Sequence, residues 1–462
     1  MFKIFGKTYP LRKLILFIWE GLFLLSLLIL ADFFIHDRNL SIFKDIHLWI
    51  RYALIVSVCL LSLYYQDLYS FKAGSSYLEM TSRLIQALGG ASIVLGFLFY
   101  AIPALTPGRL TFIGTIFVFI ISSCLWRYLY LAILKQKWFA TPVFLVASGK
   151  LPETILNEVR ENPDCGFRIA GIAWPNMPED ISLEPNIFVS KSFDNIYEKV
   201  QKVGAQKVIG AFDERRGLMP IKELLKCRMN GIPVIEGETF YENLTGKILV
   251  EKINPSWLIF HEGFQKDWAT LAGKKVIGAV CSFIGLVVSS PIIILVSILI
   301  KMDSPGPIFF KQQRVGKDGK IFTLIKFRSM TTDAEKDGAK WAKENDQRVT
   351  RIGRIIRKLR IDEVPQMWNV LKGEMSFVGP RPERPEFVKE LSEKIPYYEQ
   401  RHTVQPGITG WAQINYPYGA SIEDALEKLK YDLYYIKHMC VLLDLYIILK
   451  TVKTILFREG SR

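Results

Sequence analysis

The chain has 462 residues, too many for one ordinary core, so two or three domains are expected. Half of the residues are hydrophobic, 13% are aromatic and the mean hydropathy is +0.19, a combination that sets aside an ordinary soluble enzyme and points to a membrane protein. The formal net charge of +14 comes without zinc spacing, recognition-helix pattern or RNP-like sequence, so nucleic acid is set aside and the anionic cytoplasmic leaflet of a lipid bilayer is the expected partner.

Four apolar segments fill the first third, at 14–35, 47–65, 84–105 and 110–134, each near the ~20 residues that a membrane-crossing helix needs. The first contains Glu20, follows Lys3, Lys7, Arg12 and Lys13, and has no small-residue cleavage site, so it reads as a retained anchor rather than a signal peptide. These basic residues, with Arg127, Lys135 and Lys137 at the end of the fourth segment, predict that both ends of a four-helix transmembrane bundle over 1–138 face the cytoplasm. Six cysteines without a CxxC pair read as reduced and structural.

After Trp138 the texture becomes α/β. "TPVFLVA", "FRIAGIAW", "AQKVIGAF" and "IPVIEGE" read as strands separated by helical patterns, which predicts a doubly wound, parallel, Rossmann-like sheet over 139–257. The turn "ASGKLPE" after the first strand has one glycine where the phosphate fingerprint has three, which favours a structural or regulatory module over a nucleotide site.

A fifth apolar segment occupies 274–301. Its uncharged stretch is long enough to span, but Ser289, Ser290 and Pro291 interrupt it, and Lys274, Lys275 and Lys301 flank it on both sides. A re-entrant helix that breaks at Ser290-Pro291 and leaves by the face it entered satisfies both observations and keeps the rest of the chain cytoplasmic.

From Pro307, "IFFKQQRVGKDGKIFTLIKFRSM" reads as a hairpin turning at Asp-Gly, with Lys326 and Arg328 closing its second strand. "DQRVTRIGRIIRKLRIDE" reads as one amphipathic helix, with Ile352, Ile355, Ile356 and Leu359 on one face and Arg351, Arg354, Arg357, Lys358 and Arg360 elsewhere. It would lie in the headgroup layer or pack as a solvated basic face; both stay open. Asp362 and Glu363 end that helix. One such carboxylate can attack a phosphoryl group while its neighbour holds a divalent cation, provided that basic residues neutralise the phosphates. "SFVGPRPERPEF" then presents Arg381 and Arg384, and "QPGITGWAQINYPYGAS" adds two glycine turns whose amides could hold phosphate or sugar hydroxyls.

These last motifs, with "RKLRIDEVPQMWNVLKGEMSFVGPRPERPEF" and "YDLYYIKH…LLDL", resemble the bacterial sugar transferase family, the monotopic phosphoglycosyl transferases, from Lys274 to the C-terminus. Four amino-terminal spans and a degenerate dinucleotide-type domain are similar to the long exopolysaccharide-type polyprenyl glycosylphosphotransferases. The resemblance implies a C-terminal α+β monotopic catalytic domain over 264–462 and a Rossmann-like, CoA-binding-like middle domain. It implies transfer of a sugar 1-phosphate from a UDP-sugar to polyprenyl (undecaprenyl) phosphate with release of UMP, at the bacterial inner membrane, early in exopolysaccharide assembly. It further implies Asp362 as covalent nucleophile, Glu363 as a Mg2+ ligand, and Lys326, Arg357 and Arg381 as phosphate-binding residues; Ser290 and Pro291 match the break of the family's re-entrant helix. A homodimer through the middle domain is compatible with it. Gln405-Pro406-Gly407 and Asn415-Tyr416-Pro417 stand where many small members carry arginine motifs, so those roles are not transferred. The rival classes are a membrane-anchored nucleotide-binding regulator, which wants an intact glycine fingerprint, and a transporter, which wants charge inside several spans.

Overall fold

A computed structural model describes residues 2–35, 46–69, 76–135, 140–213, 219–252, 263–264, 267–332, 334, 346–417, 419 and 421–457. Lys137, Trp138, Tyr418 and the expected boundary at 257 lie outside the described residues. The chain divides into two compact units, Met1–Phe240 and Tyr241–Arg462.

In the first unit a short hairpin, β1 (Phe2–Ile4) and β2 (Lys7–Tyr9), precedes four helices: α1 (Leu11–Ile35), α2 (Ile46–Tyr65), α3 (Tyr77–Ala101) and α4 (Arg109–Lys135). All four are long and apolar enough to cross a membrane. α1 packs on α2 and α4, and α3 packs on the same two. Leu28, Ile55 and Leu88 are fully buried, whereas Leu22, Ile93 and Phe97 point outward, the arrangement suited to a lipid solvent. The third helix begins and ends earlier than the hydrophobic run at 84–105. Ser76 caps it by accepting from the Glu79 amide, Glu79 pairs with Arg83 one turn on, and Pro103 stops it. Glu20 and Arg127, isolated charges in the sequence, form one buried ion pair at 2.7 Å, joined by the Tyr69 hydroxyl at 2.6 Å. Such a pair satisfies its charges internally and locks α1 to α4.

The parallel sheet consists of β3 (Thr141–Ser148), β4 (Phe167–Ala173), β5 (Phe188–Ser190), β6 (Lys207–Phe212) and β7 (Val234–Glu236), in the order β5-β4-β3-β6-β7. Its helices are α5 (Leu151–Glu161), α6 (Ile196–Lys202), α7 (Ile221–Met229) and α8 (Gly237–Thr245), the last running across the boundary between the units. β5, a three-residue edge strand, was not foreseen: so short a run carries no periodicity. The order reverses at β3, where a doubly wound fold would bind phosphate on the first turn of the following helix. Here the Asp213 carboxylate accepts from the amides of Lys150 and Leu151 at 2.9 and 3.0 Å. An internal anion holds the position that a nucleotide phosphate would take.

The second unit opens with α9 (Trp268–Asp303), followed by the antiparallel hairpin β8 (Phe309–Val315) and β9 (Ile321–Phe327). The hairpin turns where expected, with Asp318 and Gly319 both at positive φ. Then come α10 (Arg351–Lys358), α11 (Gln366–Leu371), β10 (Ser376–Val378), α12 (Pro385–Lys394), β11 (Gly407–Thr409), α13 (Trp411–Asn415), α14 (Ile422–Lys437) and α15 (Val441–Phe457). β10 and β11 pair in parallel.

One expectation about α9 needs correction. The helix is continuous through Pro291 rather than broken at Ser290-Pro291. Proline leaves the Val287 carbonyl without its amide donor, and the Ser290 hydroxyl supplies one at 2.7 Å, while Ser289 donates to Gly285. Lys274, one of the lysines that flank the segment, is buried, its ammonium held by Asp444 and Tyr435. Lys275 and Lys301 are exposed.

Candidate active site

β9 delivers Lys326 beside Phe310 of its partner strand. The next helix, α10, is drawn onto the end of this hairpin. Thr350 caps it by accepting from the Gly353 amide at 2.9 Å, and Gly353 meets the Ser329 carbonyl so closely that a Cβ would lie 2.0 Å from that oxygen. Only glycine permits that approach, which brings Arg357 of α10 into the same cavity as Lys326.

α10 ends earlier than its pattern suggested, so the acidic pair does not lie on it. Arg360 adopts φ 54°, and Ile361–Glu363 form a separate 3-10 turn. Left-handed backbone at a non-glycine residue costs about 1 kcal/mol or more, and here it redirects the chain so that Asp362 enters the cavity. The apolar face of α10 also divides. Ile352 and Ile356 pack with Val296, Ile300 and Phe327, but Ile355 and Leu359 are 55% and 42% exposed beside Arg354 and Lys358.

The cavity has a volume of about 370 Å3, and Lys326, Arg357, Arg360, Asp362 and Arg381 all line it. Glu363 accepts a hydrogen bond from Arg381 at 2.5 Å. Four of the five expected residues thus share one cavity and the fifth pairs with one of them, whereas Ser290 and Pro291 sit apart on the exposed middle of α9.

The two carboxylates titrate apart. Burial, then the neighbouring Glu363 charge, pushes Asp362 up to about 6. Burial also acts on Glu363, but Arg381 and Lys326 outweigh it and hold that carboxyl down at about 2. Burial, with Arg381 adding repulsion, lowers Lys326 to about 8. Near neutral pH both carboxylates are therefore mostly ionised, Glu363 firmly and Asp362 with less margin.

Behind Arg381 lies a network with no local signal in the sequence. Arg401 is buried and donates to the Arg381 carbonyl at 3.0 Å, to Asp432 at 2.8 Å and to the Tyr398 hydroxyl at 2.7 Å. Tyr398 is a local partner, but Arg381 and Asp432 lie 20 and 31 positions from Arg401, so only the fold brings those three together. Gln405 donates to the Gly373 carbonyl at 2.7 Å and does not line the cavity, while Tyr416 and Pro417 do.

Among the described residues no group of three or more histidine, cysteine, aspartate or glutamate side chains could hold a metal. Mg2+ needs only one or two carboxylates when substrate phosphates and water complete its shell, and the hard oxygens of Asp362 and Glu363 suit it. The donor set fits.

The profile described as bacterial sugar transferase matches residues 269–458. Over 239 residues the chain is 42% identical to the UDP-N-acetylgalactosamine-undecaprenyl-phosphate N-acetylgalactosaminephosphotransferase of Aeromonas hydrophila, covering 52% of this chain and 56% of that one. It is 42% identical over 219 residues to the undecaprenyl-phosphate glucose phosphotransferase of Komagataeibacter xylinus, covering 46% and 41%. Over 191 residues it is 40% identical to the exopolysaccharide production protein PSS of Rhizobium leguminosarum bv. phaseoli, covering 40% of this chain and 96% of that one. The chain spans about half the length of the first two relatives and nearly all of the third. Since the third is matched almost end to end, and over the stretch that builds the cavity, this chain belongs to the bacterial sugar transferase family.

Proposed function

We propose that the protein transfers a sugar 1-phosphate from a UDP-sugar to polyprenyl phosphate, undecaprenyl phosphate in particular, through a covalent phosphosugar on Asp362. The observation that carries this is the placement of Asp362 in a cavity with Lys326, Arg357, Arg360 and Arg381. A carboxylate meant only to neutralise charge would be ion-paired, and it is Glu363 that pairs directly with Arg381.

In the first step an Asp362 carboxylate oxygen bonds to the sugar-bearing phosphorus, and the bond from that phosphorus to the bridging oxygen breaks. The electron pair leaves with UMP. In the second step an oxygen of polyprenyl phosphate attacks the same phosphorus, and Asp362 departs as a carboxylate. Lys326, Arg357 and Arg381 orient the donor's phosphates and offset the charge that accumulates on their oxygens. With Glu363 as its protein ligand, Mg2+ would neutralise diphosphate charge and assist departure of UMP.

The same reading places the protein in the bacterial inner membrane with its catalytic unit cytoplasmic, where UDP-sugars are found. Four crossings return the chain to the starting face, and Arg12 and Lys13 in the first turn of α1 pair with Asp164 of the sheet domain at 2.6 and 2.7 Å. A re-entrant α9 is supported by its contacts. Gly278 near one end packs on Val370 and Phe377, and Ile300 near the other packs with Phe327 and Ile356, so both ends hold to one unit. Val287, Val288 and Ile292 between them are exposed.

Purified protein incubated with a panel of UDP-sugars and polyprenyl phosphate should release UMP with at least one of them. No release with any donor would refute the assignment. The alternative of a nucleotide-binding regulator is disfavoured by Asp213 at the switch point of the sheet.

A further inference from the structure

A buried cation ties each end of α9 to backbone that carries a residue of the phosphate site. At the amino end Lys274 donates to the Val378 carbonyl at 3.3 Å, as well as to Asp444 and Tyr435. Val378 ends β10, and Arg381 follows three residues on. At the carboxyl end Arg328 donates to the carbonyls of Pro305 at 2.6 Å and Ser304 at 2.7 Å. Those carbonyls lie just past the helix, where backbone acceptors lack partners, and Arg328 stands two residues after Lys326. Gly306, at φ +124°, makes the room: a Cβ there would lie 2.0 Å from Arg328 Nη1. Asp303 also accepts from the Ile352 amide at 3.0 Å, so the same end of α9 holds the first turn of the helix leading toward Asp362.

We propose that Lys274 and Arg328 are positioning residues that couple the seating of α9 in lipid to the placement of Arg381 and Lys326 at the donor's phosphates. Charge-assisted hydrogen bonds are directional, so they transmit orientation where apolar contacts would allow sliding. Arg328 borders the cavity, but its two terminal nitrogens engage backbone at the end of α9. The Tyr435 hydroxyl lies 3.2 Å from the same carbonyl and 2.7 Å from Asp444, so its single proton is free to serve the Val378 acceptor once Asp444→Leu removes the competing carboxylate.

The inference rests on the transferase reading, and its test carries a readout independent of turnover. The full chain in anionic nanodiscs is compared as wild type, Lys274→Met, Lys274→Arg, Lys274→Met with Asp444→Leu, Arg328→Met and Arg328→Lys. Lys274→Met should lower kcat about 10- to 100-fold with KM for the UDP-sugar changed less than about threefold, and Lys274→Arg should recover most of it. The double variant replaces a buried ion pair with apolar groups and should regain thermal stability while kcat stays low. Amide exchange should quicken at 376–382 in both Lys274→Met backgrounds, and at 321–328 in Arg328→Met but not in Arg328→Lys. If kcat returns with stability in the double variant, or exchange at 376–382 is unchanged, the coupling is refuted. If the wild type releases no UMP, the transferase reading fails, and the exchange data alone decide the coupling.

Discussion

The carboxyl end of β3 and the cavity behind β9 both offer what a phosphate needs, and they differ in what a carboxylate does there. At β3 the amides of Lys150 and Leu151 begin a helix whose dipole favours an anion, and Asp213 already supplies it. In the cavity the carboxylates are outnumbered. Lys326, Arg357, Arg360 and Arg381 surround Asp362 and Glu363, leaving net positive charge for a diphosphate. The fold usually associated with nucleotides meets its helix amides with an internal carboxylate, while the α+β unit keeps an excess of basic groups around Asp362. Phosphate chemistry belongs to the residues at a site and not to the architecture that carries them.

The contrast can be broken most severely at Asp362. Asp362→Asn should lower UMP release at least about a thousandfold, because the amide is no nucleophile. Near-normal turnover would make the cavity a binding site only. Next in size, Lys326→Met or Arg381→Met should each cost roughly a hundredfold in kcat/KM by removing charge stabilisation of the transferred phosphoryl group. Arg381→Met should also raise the titration of Glu363, which Arg381 helps to hold low.

A smaller effect appears in the pH profile of kcat/KM. Asp362 is raised to about 6 and must be ionised to attack, so activity falls as the pH drops through that value. Lys326 is lowered to about 8 and must be protonated to bind phosphate, so activity falls again as the pH rises past it. A bell with limbs near these values is expected, and loss of the alkaline limb in Lys326→Arg would assign it. The smallest effect belongs to β3. Asp213→Ala should cost about 1 kcal/mol of stability, as loss of a helix cap does, and leave transfer within about twofold. A large fall in transfer would mean that the sheet domain takes part in catalysis.

How much was legible depended on the range of the interaction. The hairpin at Asp318-Gly319 and the strand Thr141–Ser148 are set by neighbours in sequence, and they appear where local chemistry puts them. Lys326, Arg357, Asp362 and Arg381 converge as the family motifs implied, although Arg360 had to leave the helical pattern for Asp362 to enter. What escaped were pairs joined only by folding. In the sequence Lys274 is one flanking lysine among three, because nothing near it announces Asp444, 170 residues away. Arg401 gives no signal for the same reason, with Asp432 31 residues away. Arg328 is closer to detection, since it stands two residues after Lys326, just past β9.

The central claim is a phosphosugar bonded to Asp362, and it is tested most directly by intact and peptide mass spectrometry of the protein mixed with UDP-sugar and Mg2+ but no polyprenyl phosphate. The account predicts one sugar-phosphate adduct on the peptide containing Asp362, formed with release of one equivalent of UMP and discharged when polyprenyl phosphate is added. UMP release that begins only once the acceptor is present, with no adduct at any time, would contradict it.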